Sequence, residues 1–291
     1  MLEADAPALA VPRQFKLAPL PVLVASAFLA ICTLSALFAP WVAPYDPMSG
    51  NIMSNLLPPG GTGMMGDVHL LGTDVVGRDI LSGVIYGARI SLSIGLLSVL
   101  GAGIVGTILG ITSGYVRGGL DEVLMRVVDI QLAFPFLLLA ILAMYALGQG
   151  FVNAVLVLMV ATWPLFARIA RAEALRLGAS DFVLAARSLG ASNTRILFRY
   201  ILLNALNPII VVAAFAIPSA IIAEAGLSFL GVGMPATVVS WGSMLSSGRD
   251  YLAQAWWIAT FPGLAIMFTV LSINVVSGWL GQKLDPNRIR D

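Results

Sequence analysis

Charged residues divide this chain into uncharged runs longer than a soluble core element needs. Leu17 to Tyr45 carries no charge, enough for a span of about 20 residues. The run exceeds the apolar region of about 7–15 residues in a cleaved signal peptide. It therefore predicts a retained first span over 20–41, ended by Pro40, Pro44 and Pro47. Ile90–Val116 is uncharged and predicts a second span. The next uncharged run, 130–167, is too long for one span and breaks at Gly148-Gln149-Gly150 and Asn153. It predicts spans over 130–147 and 152–167, with Pro135 and Pro164 placed to kink them. A fifth span covers 201–223, and a sixth lies within Trp256–Trp279.

The segments between spans have their own patterns. Residues 42–89 form a segment rich in Gly, Pro, Met and Asn near its start. Thr73 and Asp74 suit a turn, and Gly77 a positive φ. Asp79 suits the cap of a helix whose Ile80, Val84 and Ile85 share one face, the pattern of a helix lying along the membrane surface. Span two carries Gly106, Gly110 and Gly114, a doubled G-x-x-x-G. Such spacing lets a neighbouring helix approach closely; a path for solute along the same face is the second use. Residues 117–129 form a short charged turn, and 225–248, with five glycines and Pro235, suits a folded-in loop or short surface helices.

Composition places this pattern in a membrane. Hydrophobic residues make up 59%, charged residues 11%, and mean hydropathy is +0.94; soluble domains carry about 25% charged residues. The fold class expected is an all-α integral membrane protein with six transmembrane helices. Six spans put both termini on one side. The termini, the 117–129 turn and the 168–199 loop together hold thirteen basic residues, and the opposite side holds Arg78, Arg89 and Arg249. The positive-inside rule then makes the chain N-in and C-in. Residues 1–19, the tail 283–291 and the loop between helices 4 and 5 become cytoplasmic, and 42–89 external. Residues 90–282 form a five-helix core.

Several chemistries are excluded. The net charge of +1 gives no pull toward nucleic acid. The lone Cys32 allows no disulfide within the chain, and the lone His69 no two-His metal site. The only lysines, Lys16 and Lys283, lie in no P-loop, and neither G-x-S-x-G nor H-E-x-x-H occurs. No catalytic residue, metal site or cofactor is expected. Ionisable groups are nearly absent from the spans, which argues against ion-coupled transport. Glu224, at the outer end of span five, is the exception. It suits an ion pair with Arg89 or Arg249, or a polar lining at an outer gate. A passive channel, a scaffold, or a pore driven by an ATPase on another chain remains.

The 168–199 loop, RIARAEALRLGASDFVLAARSLGASNTRILFR with its last Arg at 199, is the longest polar interruption. Ser180 suits an N-cap, and Phe182, Ala185, Ala186 and Leu189 recur at helical spacing. Gly190 suits a positive-φ stop, and Ser192 a second cap. A docking knob and a plain amphipathic connector both fit. The loop resembles the EAA motif of permease subunits of binding-protein-dependent ABC importers: Glu-Ala-Ala, three residues, Gly, nine residues, Ile-x-Leu-Pro. It matches at Ala185, Ala186, Gly190 and Leu202, and departs at Leu184, Tyr200 and Leu203.

LGTDVVGRD (71–79), YGARISLSIG (86–95), AGLSFLGVG (225–233), SWGSMLSSGRDYL (240–252), FPGLAI (261–266) and LDP (284–286) extend the likeness. The chain resembles the C-type permease of dipeptide and oligopeptide ABC importers. The resemblance implies a bacterial inner-membrane subunit paired with a homologous second permease. It also implies two cytoplasmic ABC ATPase subunits, an external substrate-binding protein and a peptide substrate. Leu184, Ala185, Ala186, Arg187 and Gly190 would then form the ATPase-coupling set.

Overall fold

The computed structural model describes residues 19–64, 66–235 and 237–284. The expected N-terminal segment up to residue 18, the tail from 285 and its basic residues lie outside the described residues, as does most of the LDP stretch. The helices are α1 (Leu20–Leu37), α2 (Ala39–Val42), α3 (Ile80–Val116), α4 (Gly119–Ala133), α5 (Phe136–Leu147) and α6 (Phe151–Gly178). They continue as α7 (Asp181–Ser188), α8 (Asn193–Arg195), α9 (Leu203–Phe229), α10 (Trp241–Gly248) and α11 (Trp257–Leu284). A two-stranded antiparallel ribbon, β1 (Gly61–Thr62) with β2 (Val68–His69), lies in the segment before α3.

Five stretches are long and apolar enough to cross a bilayer: α1, α3, α6, the helical run Asn193–Phe229 and α11. The pair α4 and α5, bent by 93°, supplies a sixth if counted as one span. The bend falls at Pro135, where Phe134 is held extended (φ −89°, ψ 140°), as a residue preceding proline prefers.

Several expected boundaries move. Asp79 caps a helix as its position suggested, accepting from Ser82 N at 2.8 Å. That helix does not stop at Arg89 and is not a separate surface helix: residues 80–89 are the first turns of the 37-residue α3. Arg89 points to an exposed side, while Ile80, Ser82, Gly83, Gly87 and Ala88 are buried. A charge that can leave one face of a helix does not end it. Likewise α6 runs on to Gly178, so Arg168, Arg171 and Arg176 sit on its last turns rather than in a loop. Arg168 pairs with Asp129 at 2.5 Å, and Arg171 grips Asp121 with two bonds of 2.5 and 2.6 Å. These contacts hold α4 to α6. The fifth span begins earlier than expected, through a π-helical turn over Ile196–Leu202, and α11 carries Lys283 within its last turn.

The most extensive helix contact joins α3 to α6, which run in the same direction. A Cβ placed on Gly106 would stand 2.5 Å from Trp163 O, and on Gly114 2.7 Å from Arg171 O; on Gly110 it would collide with Ala167 O. The glycine stripe therefore brings two backbones together, the close approach that stabilises helix pairs in lipid. By contrast, a Cβ at Gly103 would meet Phe166 at an ordinary 3.6 Å. Gly110→Ala is expected to destabilise the folded protein by about 1–3 kcal/mol through overpacking, and Gly103→Ala to leave it unchanged. Thermal unfolding followed by fluorescence-detected size exclusion in detergent measures both.

Candidate functional site

Two regions at opposite ends of the bundle carry polar organisation, and an apolar groove lies between them. At the arginine-bearing end, α7 turns Val183 and Ala186 inward, with Ala186 only 8% exposed. Phe182, Leu184, Ala185, Arg187 and Leu189 face outward, and Leu189 is 89% exposed. Gly190 ends the helix with φ +82°. Its N–H reaches Arg187 O and that of Ala191 reaches Ala186 O, both at 3.0 Å, which satisfies the last carbonyls. A Cβ on Gly190 would touch nothing within 4 Å, so the constraint there is conformational. Arg187 lies over the Tyr115 ring, 5.8 Å from its centroid, and Tyr115 donates to Asn193 Oδ1 at 2.8 Å. Tyr115 thus ties α7 and α8 to the end of α3. Ser180 precedes α7 as expected, but its hydroxyl donates back to Leu177 O instead of capping. Ser192 does cap, accepting from Arg195 N.

At the opposite end Glu224 is 1% exposed on α9. It accepts hydrogen bonds from Ser228 at 2.8 Å, Ser240 at 3.0 Å and Ser91 at 3.1 Å. Each serine oxygen also accepts a backbone N–H: Met234 to Ser228, Ser243 to Ser240 and Trp241 to Ser91. Every hydroxyl proton is thereby aimed at one carboxylate. The expected pairing with Arg89 or Arg249 does not occur. Arg89 lies on an exposed face, and Arg249 bonds Asp250 at 3.1 Å and stacks on Phe229. Nor does Glu224 line an opening: it is sealed among α3, α9 and the capping box that starts α10.

Between these ends, α4, α5, α6 and α9 frame an open groove of about 780 Å³. Leu132, Phe136, Leu165 and Phe215 make its walls, with Thr162 and Ser219 as hydroxyls.

The family described as binding-protein-dependent transport system inner membrane component matches residues 106–290. The N-terminal TM domain of oligopeptide transport permease C matches residues 21–59. The chain belongs to the binding-protein-dependent inner-membrane permease family. The permease is 42% identical over 260 residues to the di/tripeptide transport system permease protein DppC of Pseudomonas aeruginosa, covering 89% of this chain and 86% of that one. It is 39% identical over 253 residues to the oligopeptide transport system permease protein OppC of Bacillus subtilis, covering 87% and 81%. Its fold is similar to that in the inward-facing MetNI methionine ABC transporter, with a TM-score of 0.59 at 17% identity, over 71% of this chain and 98% of that one.

In this permease the structure separates residues that sequence spacing had grouped. Leu184, Ala185 and Arg187 share the open side of α7, while Ala186 belongs to its packed side. Of the three serines around Glu224, only Ser228 stands at a helical interval from it; Ser91 and Ser240 come from 133 and 16 residues away. Replacing Glu224 with Ala leaves three buried hydroxyls without an acceptor. An unsatisfied buried group costs about 1–3 kcal/mol, so Glu224→Ala is expected to lower the thermal midpoint more than Glu224→Gln, which keeps one acceptor oxygen. Hydrogen exchange across Ser240–Gly248 is expected to accelerate in the same order.

Proposed function

We propose that the chain is one permease subunit of an ATP-driven peptide importer. Family membership supports the transport role, and the names of the relatives support di-, tri- and oligopeptides as the substrate class. In this reading the protein is no enzyme, and ATP is hydrolysed on two separate cytoplasmic chains. The observation that carries the coupling is the exposure of Leu189, Leu184 and Phe182 on a short hairpin beyond the spanning helices. Apolar side chains held outside both lipid and core gain when a partner covers them.

The arginine-bearing end faces the cytoplasm, consistent with thirteen basic residues against three. The six-span chain is then N-in and C-in. A homologous second permease covers the groove framed by α4, α5, α6 and α9, and an external binding protein delivers peptide at the Glu224 end. A multispan scaffold or passive channel is the competing class; it predicts no ATPase partner.

The burial of Ala186 selects the informative substitution. Ala186→Glu would force a charge against the packed side of α7 and disturb the hairpin itself. Ala185→Glu places the charge on the open side and leaves the fold alone. We expect Ala185→Glu to insert normally and keep its partner permease, yet retain at least tenfold less ATPase, a loss of about 1.4 kcal/mol. Copurification from gentle detergent and substrate-stimulated ATP hydrolysis measure this. Wild-type values on both counts would make the hairpin a connector, and absence of nucleotide-binding chains from the wild-type preparation would favour the scaffold.

Orientation has its own test. A reporter active only in the cytoplasm, fused after Asp291, is expected to work; activity of an external reporter at that site would reverse the assignment.

A further inference from the structure

A second cavity, of about 270 Å³, lies at the Glu224 end between the segment preceding α3 and the short helix α10. Asp74, Arg78 and Pro47 line one side; Val239, Ser243 and Ser247 line the other. Both walls are tied to neighbouring segments. On the first, Gly77 adopts φ +78° and packs against the Asn51 backbone, where any Cβ would collide. Asn51 N donates to Gly77 O at 3.3 Å, which fixes the turn to the preceding segment. On the second, the capping box of α10 is anchored to Glu224 through Ser240.

The charged groups in this cavity are incompletely served. Arg78 Nε is shut off from solvent and has no hydrogen-bond partner in the protein. Asp74 accepts from Val76 N at 2.9 Å and Arg78 N at 2.8 Å, so it is oriented by its own turn. Neither side chain belongs to an ion pair among the described residues. Burial pushes the Asp74 carboxyl above its ordinary range, and the turn N–H groups and the charge of Arg78 pull it only partly back. Asp79, also in the lining, is already engaged by His69 at 2.9 Å and by Ser82. Nε itself is too enclosed for a ligand to reach, but Arg78 and Asp74 both line the cavity without an ion-pair partner among the described residues. A guanidinium and a carboxylate each gain from a ligand group of opposite charge.

We propose that this cavity binds a small zwitterion end to end, its carboxylate on Arg78 and its ammonium at Asp74. The free termini of a short peptide supply that pair of charges. The proposal rests on the peptide-import reading and adds to it a substrate subsite on this chain. An anion alone would face Asp74 and Asp79 as well as Arg78, and a cation alone would face Arg78; the zwitterion satisfies both signs. At about 30 Å³ of liquid per water, the cavity volume corresponds to about nine waters, which a short peptide would displace.

The probe is L-alanyl-L-alanine, titrated by calorimetry into the full-length chain purified in detergent with the subunits that accompany it, without binding protein. N-acetyl-Ala-Ala lacks the ammonium, and Ala-Ala amide lacks the carboxylate. Arg78→Met keeps the aliphatic stem, and Asp74→Asn keeps the oxygen that accepts from the turn. Arg78→Lys, which keeps the charge but not the planar guanidinium fork, guards against a folding effect of Arg78→Met. Ala-Ala is expected to bind at least tenfold more weakly to Arg78→Met and to Asp74→Asn than to wild type, with Arg78→Lys intermediate. Each blocked peptide is expected to bind wild type at least tenfold more weakly than Ala-Ala. Undetectable binding to wild type, or equal Ala-Ala affinity in wild type and both charge-removing variants, overturns the site. Uptake of Ala-Ala by the complete transporter separates the two ideas. Import without Arg78- or Asp74-dependent binding removes the site and leaves the import reading. Binding that depends on both residues, with no import by wild type, removes the import reading and leaves the site.

Discussion

The backbone contact between α3 and α6 sets the arrangement of the other helices. In lipid, two apolar helices gain little from hiding their side chains from each other, because the acyl chains are equally apolar. Association then depends on close packing, and Gly106, Gly110 and Gly114 permit it over about two turns of α3. Because α3 and α6 run in the same direction, the connection must return across the bundle, which α4 and α5 do. The sharp bend at Pro135 separates their roles. The amphipathic α4 reaches α6 through Asp121 and Asp129, while Gln131 donates to Val160 O and accepts from Trp163. The apolar α5 packs along the N-terminal half of α6.

The two ends of the bundle are held by different physics. At the arginine-bearing end α4 is tied to α6 by ion pairs, Arg168 with Asp129 on the surface and Arg171 with Asp121 partly buried. The exposed pair contributes little stability and rearranges at small cost. At the opposite end one buried carboxylate collects three hydroxyls from three elements. Breaking that cluster exposes unsatisfied groups to an apolar interior, so it behaves as a single unit. The cluster also fixes α10, and α10 forms one wall of the cavity that holds Asp74 and Arg78. The serine cluster therefore braces the wall of that cavity.

Between the α7 hairpin and Glu224 the chain is helical without interruption from Asn193 to Phe229. After α8 it passes through the π-helical turn at Ile196–Leu202, and Asn204 Nδ2 donates to Tyr200 O at 2.6 Å. Wide turns of this kind recur at functional sites in helices. In an importer driven from the hairpin, a displacement there would act on a covalently continuous element that ends at the serine cluster.

Much of this was legible in the order of residues. Uncharged runs of span length, the glycine interval in α3, the positive-φ glycines at 77 and 190, and the Asp79 and Ser192 caps all depend on near neighbours. Helical periodicity and capping are local, so the sequence offers them directly, although Ser180 precedes α7 without capping it. The lengths of α3 and α6 were not legible, because Arg89 and Arg168 look like boundaries until the surrounding helices show which face is open. The periodicity of α7 likewise grouped Ala185 with Ala186, and only packing against the bundle turned one outward and the other inward. The partners of Glu224 were hidden for a stronger reason. Sequence shows a carboxylate near arginines, and opposite charges invite a pair. Tertiary structure instead brought Ser91 and Ser240 to it and pointed the arginines away. Which polar groups share a buried site is decided by how distant elements meet, and no local rule contains that information.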